Sequence, residues 1–464
     1  MLGEYRIVGR RASEIAASVE RAVGAGELEP GQLLPPMREL AADLGVNPNT
    51  VASAYRTLRD RGVIETSGRK GSRVRPRPAS TSRGTIRVEA PPGVRDLGQG
   101  NPDPALLPPL HDALAAAARR NAEEPGLYGQ APVDADFARL ARAAMDDDGV
   151  PDGQVAVTSG SLDAIERVLA AHLRPGDAVA VEDPGWGSLL DLVPALGLKP
   201  VPVALDDDGP LASEVEKALT AGARALIVTD RAQNPTGAVV SAERARELRA
   251  VLARFPRTLL IEDDHGHAIV DLPLHPLAGV TDSWALVRST AKAYGPDLRV
   301  AVLTGDAVTV DRVMGRQRLG PGWVSRLLQR AVVHLWTSRA VDSHAVARSY
   351  GERRDALVRA LAERGIEAHG RSGMNVWVPV PDETGAVARL LHAGWAVAPG
   401  ARFRMAAPPA VRITVSGLTM DDIGPGGAPG GGGAPPPPPP PPRGGGPGGG
   451  GGGGGGVARG PRAV

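Results

Sequence analysis

The sequence contains no cysteine, few lysines and no long uninterrupted apolar run. The absence of cysteine excludes disulfide bonds, thiolate metal ligands and cysteine nucleophiles, and we expect no metal site. A membrane helix needs about 18 consecutive apolar residues, and a secretion signal needs an apolar core that residues 1–6 lack. We therefore expect a cytoplasmic protein without a membrane partner.

The scarcity of lysine makes each one informative, because only four of the 53 basic residues are lysine. Lys292 lies among small and apolar residues in the segment Ser289–Gly295. Arginine cannot replace lysine in condensation with an aldehyde, because its guanidinium stays protonated. Lys292 is therefore a candidate for a covalent bond to a carbonyl compound. The alternative is a surface lysine paired with an acid.

Charge is unevenly distributed, although the whole chain has 53 basic and 52 acidic residues. Residues 1–78 hold thirteen basic and nine acidic residues, and residues 50–78 hold eight and two. This local excess suits a polyanionic partner. A solvated surface of like charge is the alternative interpretation.

Two changes in composition divide the chain into domains. Residues 75–95 are rich in proline, serine, threonine and arginine, which is typical of a linker. Residues 424–464 contain twenty glycines and twelve prolines, which predicts a disordered tail. The predicted division is a first domain over residues 1–78, a linker over 79–96, a second domain over 97–423 and the tail over 424–464.

The first domain shows three short amphipathic stretches followed by a hairpin pattern. Apolar residues recur with helical spacing at Ile15, Val19 and Val23, then across residues 37–44, and then at Val51, Tyr55 and Leu58. Asn47 and Pro48 are suited to begin the third helix. Residues 63–74 predict a hairpin whose tip holds Arg69 and Lys70, a basic wing suited to DNA phosphates or a minor groove.

The run from Gly31 through Asn47-Pro48-Asn49-Thr50 to Gly71-Ser72 resembles the winged helix-turn-helix of GntR-type regulators. The resemblance implies an α+β winged helix that binds double-stranded operator DNA. A purely structural three-helix module is the alternative. The residues that the resemblance places at the DNA are Arg38, Asn49, Thr50, Tyr55, Arg56 and Gly71.

The second domain alternates helical patterns with continuous apolar runs. Such runs are typical of strands buried on both faces of a mostly parallel sheet, so we predict an α/β fold. Ligands of these sheets bind beyond the carboxyl ends of the strands. The runs are residues 155–157, 178–181, 225–228, 259–261 and 285–287.

Polar residues follow each of these runs. Gly160 and Ser161 open a helix and would cradle a phosphate. Trp186 would stack on a flat ring, or else pack against a helix. Asp263 would meet a protonated ring nitrogen, and Ser289 and Arg299 would hold a phosphate near Lys292. With Asn234, these are the parts that one molecule of pyridoxal 5'-phosphate requires.

This ordered set resembles the fold type I aminotransferases over residues 97–420. The resemblance implies the α/β fold of pyridoxal phosphate-dependent transferases with a small C-terminal α+β subdomain. It makes Lys292 the residue bonded to the cofactor, Asp263 the partner of the ring nitrogen, Asn234 a contact of the ring hydroxyl and Trp186 the stacking residue. Tyr128 would reach the cofactor of a neighbouring subunit, and Arg412 would receive a substrate or effector carboxylate.

The chain departs from this resemblance at two places. His265 stands where the family has a tyrosine, and we expect it to contact the ring oxygen of the cofactor and to alter protonation there. The chain also changes to the Gly/Pro tract soon after Arg412 and Asp422, so we expect a short last helix.

The two resemblances together point to the MocR-type subfamily of GntR regulators. They imply a homodimeric transcription regulator that senses pyridoxal phosphate, an amine or an amino acid. Two alternatives stay open: a working aminotransferase with an accessory DNA-binding module, and a regulator that has lost its cofactor and uses the second domain only to dimerise.

Overall fold

The computed structural model describes residues 6–25, 27–29, 31–60, 63–66, 71–74 and 83–423. The predicted tail and the predicted wing residues Arg69 and Lys70 lie outside this part of the chain. Within it, no helix is both long and apolar enough to cross a membrane.

The hydrophobic spacing of the N-terminal residues produces three helices and a hairpin. Ile15, Val19, Val51 and Leu58 are fully buried and share one core. The second helix ends at Gly45, whose φ of 65° is the left-handed conformation that glycine adopts without strain. The elements are α1 (Ala12–Ala25), α2 (Met37–Leu44), α3 (Pro48–Asp60), β1 (Ile64–Thr66) and β2 (Ser72–Val74).

The turn and hairpin complete the predicted winged helix. The Oδ1 atom of Asn47 accepts a hydrogen bond from the backbone N–H of Asn49 at 2.8 Å, which satisfies a free donor at the start of α3. Strand β1 pairs with β2 in antiparallel fashion, with Ile64 opposite Val74. The predicted fold of this domain is confirmed.

A seven-stranded sheet forms the centre of the second domain. Strand β12 (Ala301–Gly305) is antiparallel to both of its neighbours, and the other adjacent strands are parallel, so the predicted mostly parallel sheet is confirmed. In order across the sheet, the strands are β4 (Gln154–Thr158), β12 (Ala301–Gly305), β11 (Ser283–Ser289), β10 (Leu259–Asp264), β9 (Ala223–Thr229), β5 (Ala178–Glu182) and β6 (Lys199–Val203).

Helices cover both faces of this sheet. Alternate residues of one strand enter different cores: Ile261 packs in one hydrophobic cluster and Leu260 in the other. This is why the strands read as continuous apolar runs. The remaining elements of this region are α4 (His111–Glu123), α5 (Ala135–Asp147), α6 (Ser161–His172), α7 (Gly187–Ala195), β7 (Leu205–Asp206), β8 (Gly209–Pro210), α8 (Ala212–Thr220), α9 (Ala242–Leu252), α10 (Ala291–Tyr294), α11 (Ala307–Arg318) and α12 (Arg326–Thr337).

A smaller α+β subdomain follows, as the resemblance implied. Its three-stranded antiparallel sheet has the order β13 (Asn375–Pro379), β16 (Ala410–Thr414) and β15 (Ala398–Pro399). The last helix has four residues. The elements are α13 (Ser343–Ala362), β13 (Asn375–Pro379), α14 (Glu383–His392), β14 (Trp395–Ala396), β15 (Ala398–Pro399), β16 (Ala410–Thr414) and α15 (Met420–Ile423).

The later part of the predicted linker is attached to the second domain. The backbone N–H of Arg83 donates to Asp191 at 2.7 Å, and its guanidinium donates to the carbonyl oxygens of Ala401 and Arg404 at 3.2 and 2.9 Å. Strand β3 (Arg95–Asp96) then pairs in parallel with β14. The chain therefore enters the second domain along its small C-terminal subdomain.

Candidate functional site

The strand ends gather most of the predicted ligand-binding residues around one cavity of about 300 Å³. This is the sheet edge at which ligands of parallel α/β folds bind. The predicted residues that line the cavity are Ser161, Trp186, Asn234, Asp263, His265, Ser289, Lys292 and Arg299. Helical residue Leu162 and the subdomain residues Met374 and Asn375 also line it.

An anion cradle occupies one end of this cavity. Gly160 precedes α6 with a φ of 102°, and no side chain caps the helix there. The Oγ atom of Ser161 is buried and has no hydrogen-bond partner in the described ranges. Arg299 donates to the carbonyl oxygen of Ser159 at 2.6 Å, and a Cβ on Gly160 would collide with its guanidinium. Free backbone N–H groups, a hydroxyl and a guanidinium suit a phosphate.

Trp186 and Asn234 lie on two loops that border the cavity. Trp186 directly precedes α7, and its half-buried ring packs on the core cluster and also lines the cavity. The Oδ1 atom of Asn234 accepts a hydrogen bond from Arg412 at 3.0 Å. This contact turns the amide nitrogen of Asn234 away from Arg412, where it is available to donate to a ligand oxygen.

Three consecutive acids end β10, and their side chains alternate between the two faces of the sheet. Asp263 lines the cavity, and its buried Oδ1 atom has no hydrogen-bond partner among the residues described. Glu262 and Asp264 are fully buried on the opposite face. Of these three acids, Asp263 is the one placed to meet a cationic atom of a ligand.

Asp264 is the centre of a buried ion network. It accepts hydrogen bonds from Arg231 at 2.9 and 2.7 Å and from Arg288 at 2.9 Å. Arg288 also donates to Asp148 at 2.5 Å. Burial alone would raise the pKa of Asp264, but the two guanidinium groups lower it well below its usual range. The network supports β10 from behind the cavity.

Glu262 lies close to a second buried acid, Asp230. Burial raises the pKa of Glu262 to about 7, and burial together with Glu262 raises the pKa of Asp230 well above its usual range. The backbone N–H of Leu277 donates to Glu262 at 2.5 Å. Two adjacent buried carboxylates cannot both stay ionised, so this pair retains a proton at neutral pH.

His265 differs from the expectation that it contacts a ring oxygen of the cofactor. Its Nδ1 lies 3.1 Å from Oδ2 of Asp263, and its Nε2 lies 2.8 Å from the carbonyl oxygen of Ala232. Both ring nitrogens are therefore engaged by the protein. His265 lines the cavity but has no further N–H group for a ligand.

Two cations of the site are held by backbone carbonyl groups of one short segment. The Nζ atom of Lys292 donates to the carbonyl oxygen of Gly100 at 2.7 Å, and Arg412 donates to that of Gly98 at 2.5 Å. The Arg412 guanidinium also lies 4.6 Å from the ring centre of Phe403. Gly100 has a φ of 73°, and a Cβ there would lie 3.1 Å from Arg412. We call residues 98–101 the glycine segment.

Pyridoxal 5'-phosphate fits the groups that remain unsatisfied in this cavity. Asp263 offers a buried carboxylate oxygen for a ring nitrogen, and Ser161 offers a buried hydroxyl beside the anion cradle. Burial and the nearby Arg412 lower the pKa of Lys292 to about 8, against the opposing effect of Asp263. A lysine with a lowered pKa is a better nucleophile at neutral pH.

The reaction of Lys292 with an aldehyde is expected to accelerate as the pH rises through about 8. The reactive form is the uncharged amine, and its fraction rises as the pH passes the pKa. Borohydride trapping of the aldehyde adduct over pH 6 to 11, with Lys292 located by peptide mass spectrometry, measures the midpoint. A midpoint near the ordinary lysine value of about 10.4 would contradict the burial of this amine.

The other predicted residues are placed as follows. Tyr128 is 92 % exposed and stacks edge-on against Trp323 at 5.6 Å between ring centres, away from the cavity lining. Arg38, Asn49, Arg56 and Gly71 are exposed, and Thr50 is half-buried.

Tyr55 differs from the expected position at the DNA. Only 3 % of its surface is exposed, and its hydroxyl donates to the carbonyl oxygen of Pro35 at 2.9 Å. It lies in the same core as Val51 and Leu58. The helical spacing that the three residues share explains this burial.

Sequence reasoning missed three features around the cavity. It did not identify the glycine segment, because backbone acceptors leave no side-chain pattern. It also missed the Arg231 and Arg288 pairing with Asp264, although the acid run was a signal that buried cations were needed. Lastly, Ser372 was not noticed; its Oγ accepts from Ala232 N–H at 2.9 Å.

Comparisons with known proteins agree with both halves of this architecture. Residues 92–425 match the aminotransferase class I and II family, and residues 11–74 match the bacterial regulatory proteins of the gntR family. Among solved structures, an aspartate aminotransferase of Thermus thermophilus superposes with a TM-score of 0.62 at 25 % identity, over 71 % of this chain and 89 % of that one. Kynurenine aminotransferase of Pyrococcus horikoshii shares the fold, with a TM-score of 0.63 at 20 % identity, over 74 % of this chain and 94 % of that one.

Two relatives are transcriptional regulators by description. The chain is 39 % identical over 423 residues to the vitamin B6 salvage pathway transcriptional repressor PtsJ of Salmonella typhimurium, over 90 % of this chain and 97 % of that protein. It is 30 % identical over 292 residues to the pyridoxine biosynthesis transcriptional regulator PdxR of Corynebacterium glutamicum, over 60 % of this chain and 62 % of that protein.

The fold and the site define a winged-helix DNA-binding module joined to an aminotransferase-like domain. The 39 % identity to a transcriptional repressor over 97 % of the length of that repressor shows that this chain is a member of the same family. The chain belongs to the MocR-type transcriptional regulators of the GntR family.

Proposed function

We propose that this regulator binds pyridoxal 5'-phosphate at Lys292 and that an amine or amino acid reaching the same cavity changes its affinity for operator DNA. The observation that carries the proposal is the pair of hydrogen bonds from Lys292 and Arg412 to the glycine segment. The glycine segment follows β3 in the chain, and β3 lies at the end of the predicted linker between the winged helix and the second domain. A ligand that changes the hydrogen bonds of Lys292 or Arg412 would therefore act on backbone that directly follows the linker.

Each residue of the cavity has a stated task in this proposal. Pyridoxal phosphate would supply an aldehyde for Lys292 and an electron-withdrawing ring. Asp263 would hold the ring nitrogen, Asn234 the ring hydroxyl and Trp186 one face of the ring. The phosphate would bind Gly160, Ser161, Ser289 and Arg299, which form or border the anion cradle.

Arg412 would bind the carboxylate of an amino-acid effector. Its Nε atom is buried and without a hydrogen-bond partner in the described part of the chain, so it has an unused donor. A carboxylate that takes a bidentate hydrogen bond from Arg412 competes with the carbonyl group of Gly98. Reaction at Lys292 likewise removes a donor from Gly100. Both events release the glycine segment, and release of this segment is the difference between states that a ligand-driven switch requires.

We also propose that the regulator acts as a homodimer in the cytoplasm, where the DNA lies. Tyr128 is almost fully exposed and contacts Trp323, and Leu319, four residues before Trp323 in the chain, is 90 % exposed. Large apolar side chains grouped on a surface favour a second copy as the partner. At the winged helix, Arg38, Asn49, Thr50, Arg56 and Gly71 are proposed to face DNA, with Arg69 and Lys70 at the wing tip.

An active aminotransferase is the second candidate function. The observation that favours it is a cavity lined by a nucleophilic lysine and an available carboxylate, with a buried arginine bonded to the lining residue Asn234. Steady-state transfer between an amino acid and a keto acid at enzyme-like rates would support this candidate. A single conversion without turnover supports the sensor.

Operator affinity is expected to change at least about tenfold between the cofactor-free protein, the pyridoxal phosphate form and the form exposed to amino acids, a coupling of about 1.4 kcal/mol. The probe is a duplex selected from a random pool on the full chain, and the assay is an electrophoretic shift with each of the twenty amino acids. Arg56→Ala is the matched control, because it should weaken binding in every state equally. Equal affinity in all three states would reject the proposal.

A further inference from the structure

His265 lies between two hydrogen-bond acceptors. Its Nδ1 is 3.1 Å from Oδ2 of Asp263, and its Nε2 is 2.8 Å from the carbonyl oxygen of Ala232. The carbonyl oxygen can only accept, so Nε2 must carry a hydrogen. A neutral imidazole has one N–H group, and Nδ1 would then face the carboxylate with a lone pair.

The proton between Nδ1 of His265 and Oδ2 of Asp263 belongs on the imidazole. A proton between a carboxylate and an imidazole resides on the imidazole, because its ordinary pKa is about 6.5 and that of aspartate about 3.9. Burial would lower the pKa of His265, but Asp263 and the Ala232 carbonyl group outweigh burial and raise it. His265 therefore donates from both nitrogens.

The charged groups around His265 come from three elements. Asp263 favours the protonated ring, whereas Lys292, from the helix after β11, opposes it. Glu182 at the end of β5 is also close enough to interact, although burial raises the pKa of Glu182 to about 7. Burial and Arg412 lower the pKa of Lys292 to about 8, so the opposing charge of Lys292 decreases only as the pH rises above neutrality. The acid that contacts His265 is thus its dominant neighbour.

We propose that His265 is a protonated positioning residue, which holds Oδ2 of Asp263 so that Oδ1 alone is presented to the cavity. The Oδ1 atom of Asp263 is buried and has no hydrogen-bond partner among the described residues, so it remains available to a ligand. The inference that His265 orients Asp263 toward a bound cofactor rests on the proposed function. The protonation of His265 and its contact with Asp263 are independent of the proposed function.

The same histidine connects Asp263 with the C-terminal subdomain. Its acceptor Ala232 has a φ of 57° and donates its backbone N–H to Ser372 at 2.9 Å. Ser372 in turn donates to the carbonyl oxygen of Gly237 at 3.0 Å. A chain of hydrogen bonds thus runs from Asp263 through His265 to the segment that leads into β13.

His267 supplies a matched comparison two residues away. It lies on the far side of β10, near Arg288 and Arg231. Burial, and then the charge of Arg288, lower the pKa of His267 to about 3. The two histidines should therefore have opposite protonation states at neutral pH, although both lie in the same loop.

Nitrogen chemical shifts of the histidine rings test the proposal on the cofactor-free full chain. With ¹⁵N-histidine labelling, two-bond ¹H–¹⁵N spectra from pH 5 to 9 should show one ring that loses its second proton at a higher pH than an ordinary histidine, whose pKa is about 6.5. His265→Gln should remove its signals, and His267→Gln should remove those of a neutral ring. Asp263→Asn should return the His265 ring to the neutral form by pH 7. A neutral His265 in the wild-type spectrum at pH 7 would overturn the proposal without the need for any variant.

A second measurement separates this proposal from the proposed function. His265→Gln should weaken pyridoxal phosphate binding by about tenfold, since one charge-assisted hydrogen bond no longer orients Asp263. It should also move the pH midpoint of the visible absorption of the loaded protein, which His267→Gln should leave in place. If the wild type binds no pyridoxal phosphate, the proposed function fails and the ring-shift experiment still decides the state of His265. An unchanged affinity and midpoint in His265→Gln would contradict the positioning role.

Discussion

A Lys292→Ala variant is expected to lose the visible absorption of the cofactor-loaded protein completely and to bind operator DNA with the same affinity in the presence and absence of pyridoxal phosphate. The variant lacks the amine that condenses with the aldehyde, and it also lacks the hydrogen bond to Gly100. Absorption spectra and electrophoretic shifts with the selected duplex measure the two effects.

Two controls define the cause of this loss. Lys292→Arg keeps a positive charge near Gly100 but cannot condense with an aldehyde, so it should also lose the absorption band. Lys217→Ala makes the same change as Lys292→Ala on α8, where the exposed lysine pairs with Glu214, and should behave as the wild type. A loaded Lys292→Ala protein with the wild-type spectrum would show that another group holds the cofactor.

Asp264→Asn is expected to destabilise the protein by about 3–5 kcal/mol, the usual penalty for breaking a buried ion pair. The substitution removes the negative charge between Arg231 and Arg288, both of which stay buried. Because the pKa of Asp264 is lowered in the folded protein, its contribution is present above the ordinary aspartate pKa of about 3.9. That contribution is lost as the pH falls below this value.

Thermal and urea unfolding at pH 7, followed by circular dichroism, measures this effect. Glu216→Gln is the control, because the ion pair that Glu216 forms with Arg254 is exposed to solvent and should contribute little. Asp263→Asn is a second comparison at the adjacent residue, because it should impair cofactor binding more than it lowers the free energy of unfolding. Equal stability of Asp264→Asn and Glu216→Gln would show that the buried network does not stabilise β10.

Sequence patterns predicted the sheet and the residues at its edge because both depend on local rules. The run Leu259–Ile261 is apolar on both faces, so its burial and the position of Asp263 beyond it followed together. Strand β12 was not among the predicted runs, and its antiparallel direction depends on a connection that has no distinctive composition. The partners of Asp264 were not predicted either, since nothing in 49 arginines marks Arg231 and Arg288 as the buried pair.

Tyr55 shows which sequence signal was the better guide. The family resemblance implied that it lies at the DNA, whereas its helical spacing with Val51 and Leu58 placed it on the apolar face. The structure follows the spacing, because burial of an aromatic ring stabilises a small core more than exposure does. His265 teaches the same lesson: a residue type at a family position does not fix its hydrogen bonds, which depend here on the carbonyl group of Ala232.

If the proposed function holds, the hydrogen bonds of Lys292 and Arg412 to the glycine segment would set the effector concentration needed for a response. A ligand that engages either cation must replace a hydrogen bond that the protein already makes, so its apparent affinity is the difference between the two interactions. Under the proposed function, low concentrations of amine or amino acid would therefore leave the segment in place. Weakening these carbonyl contacts would lower the effector concentration at which transcription changes, without altering any residue that touches DNA.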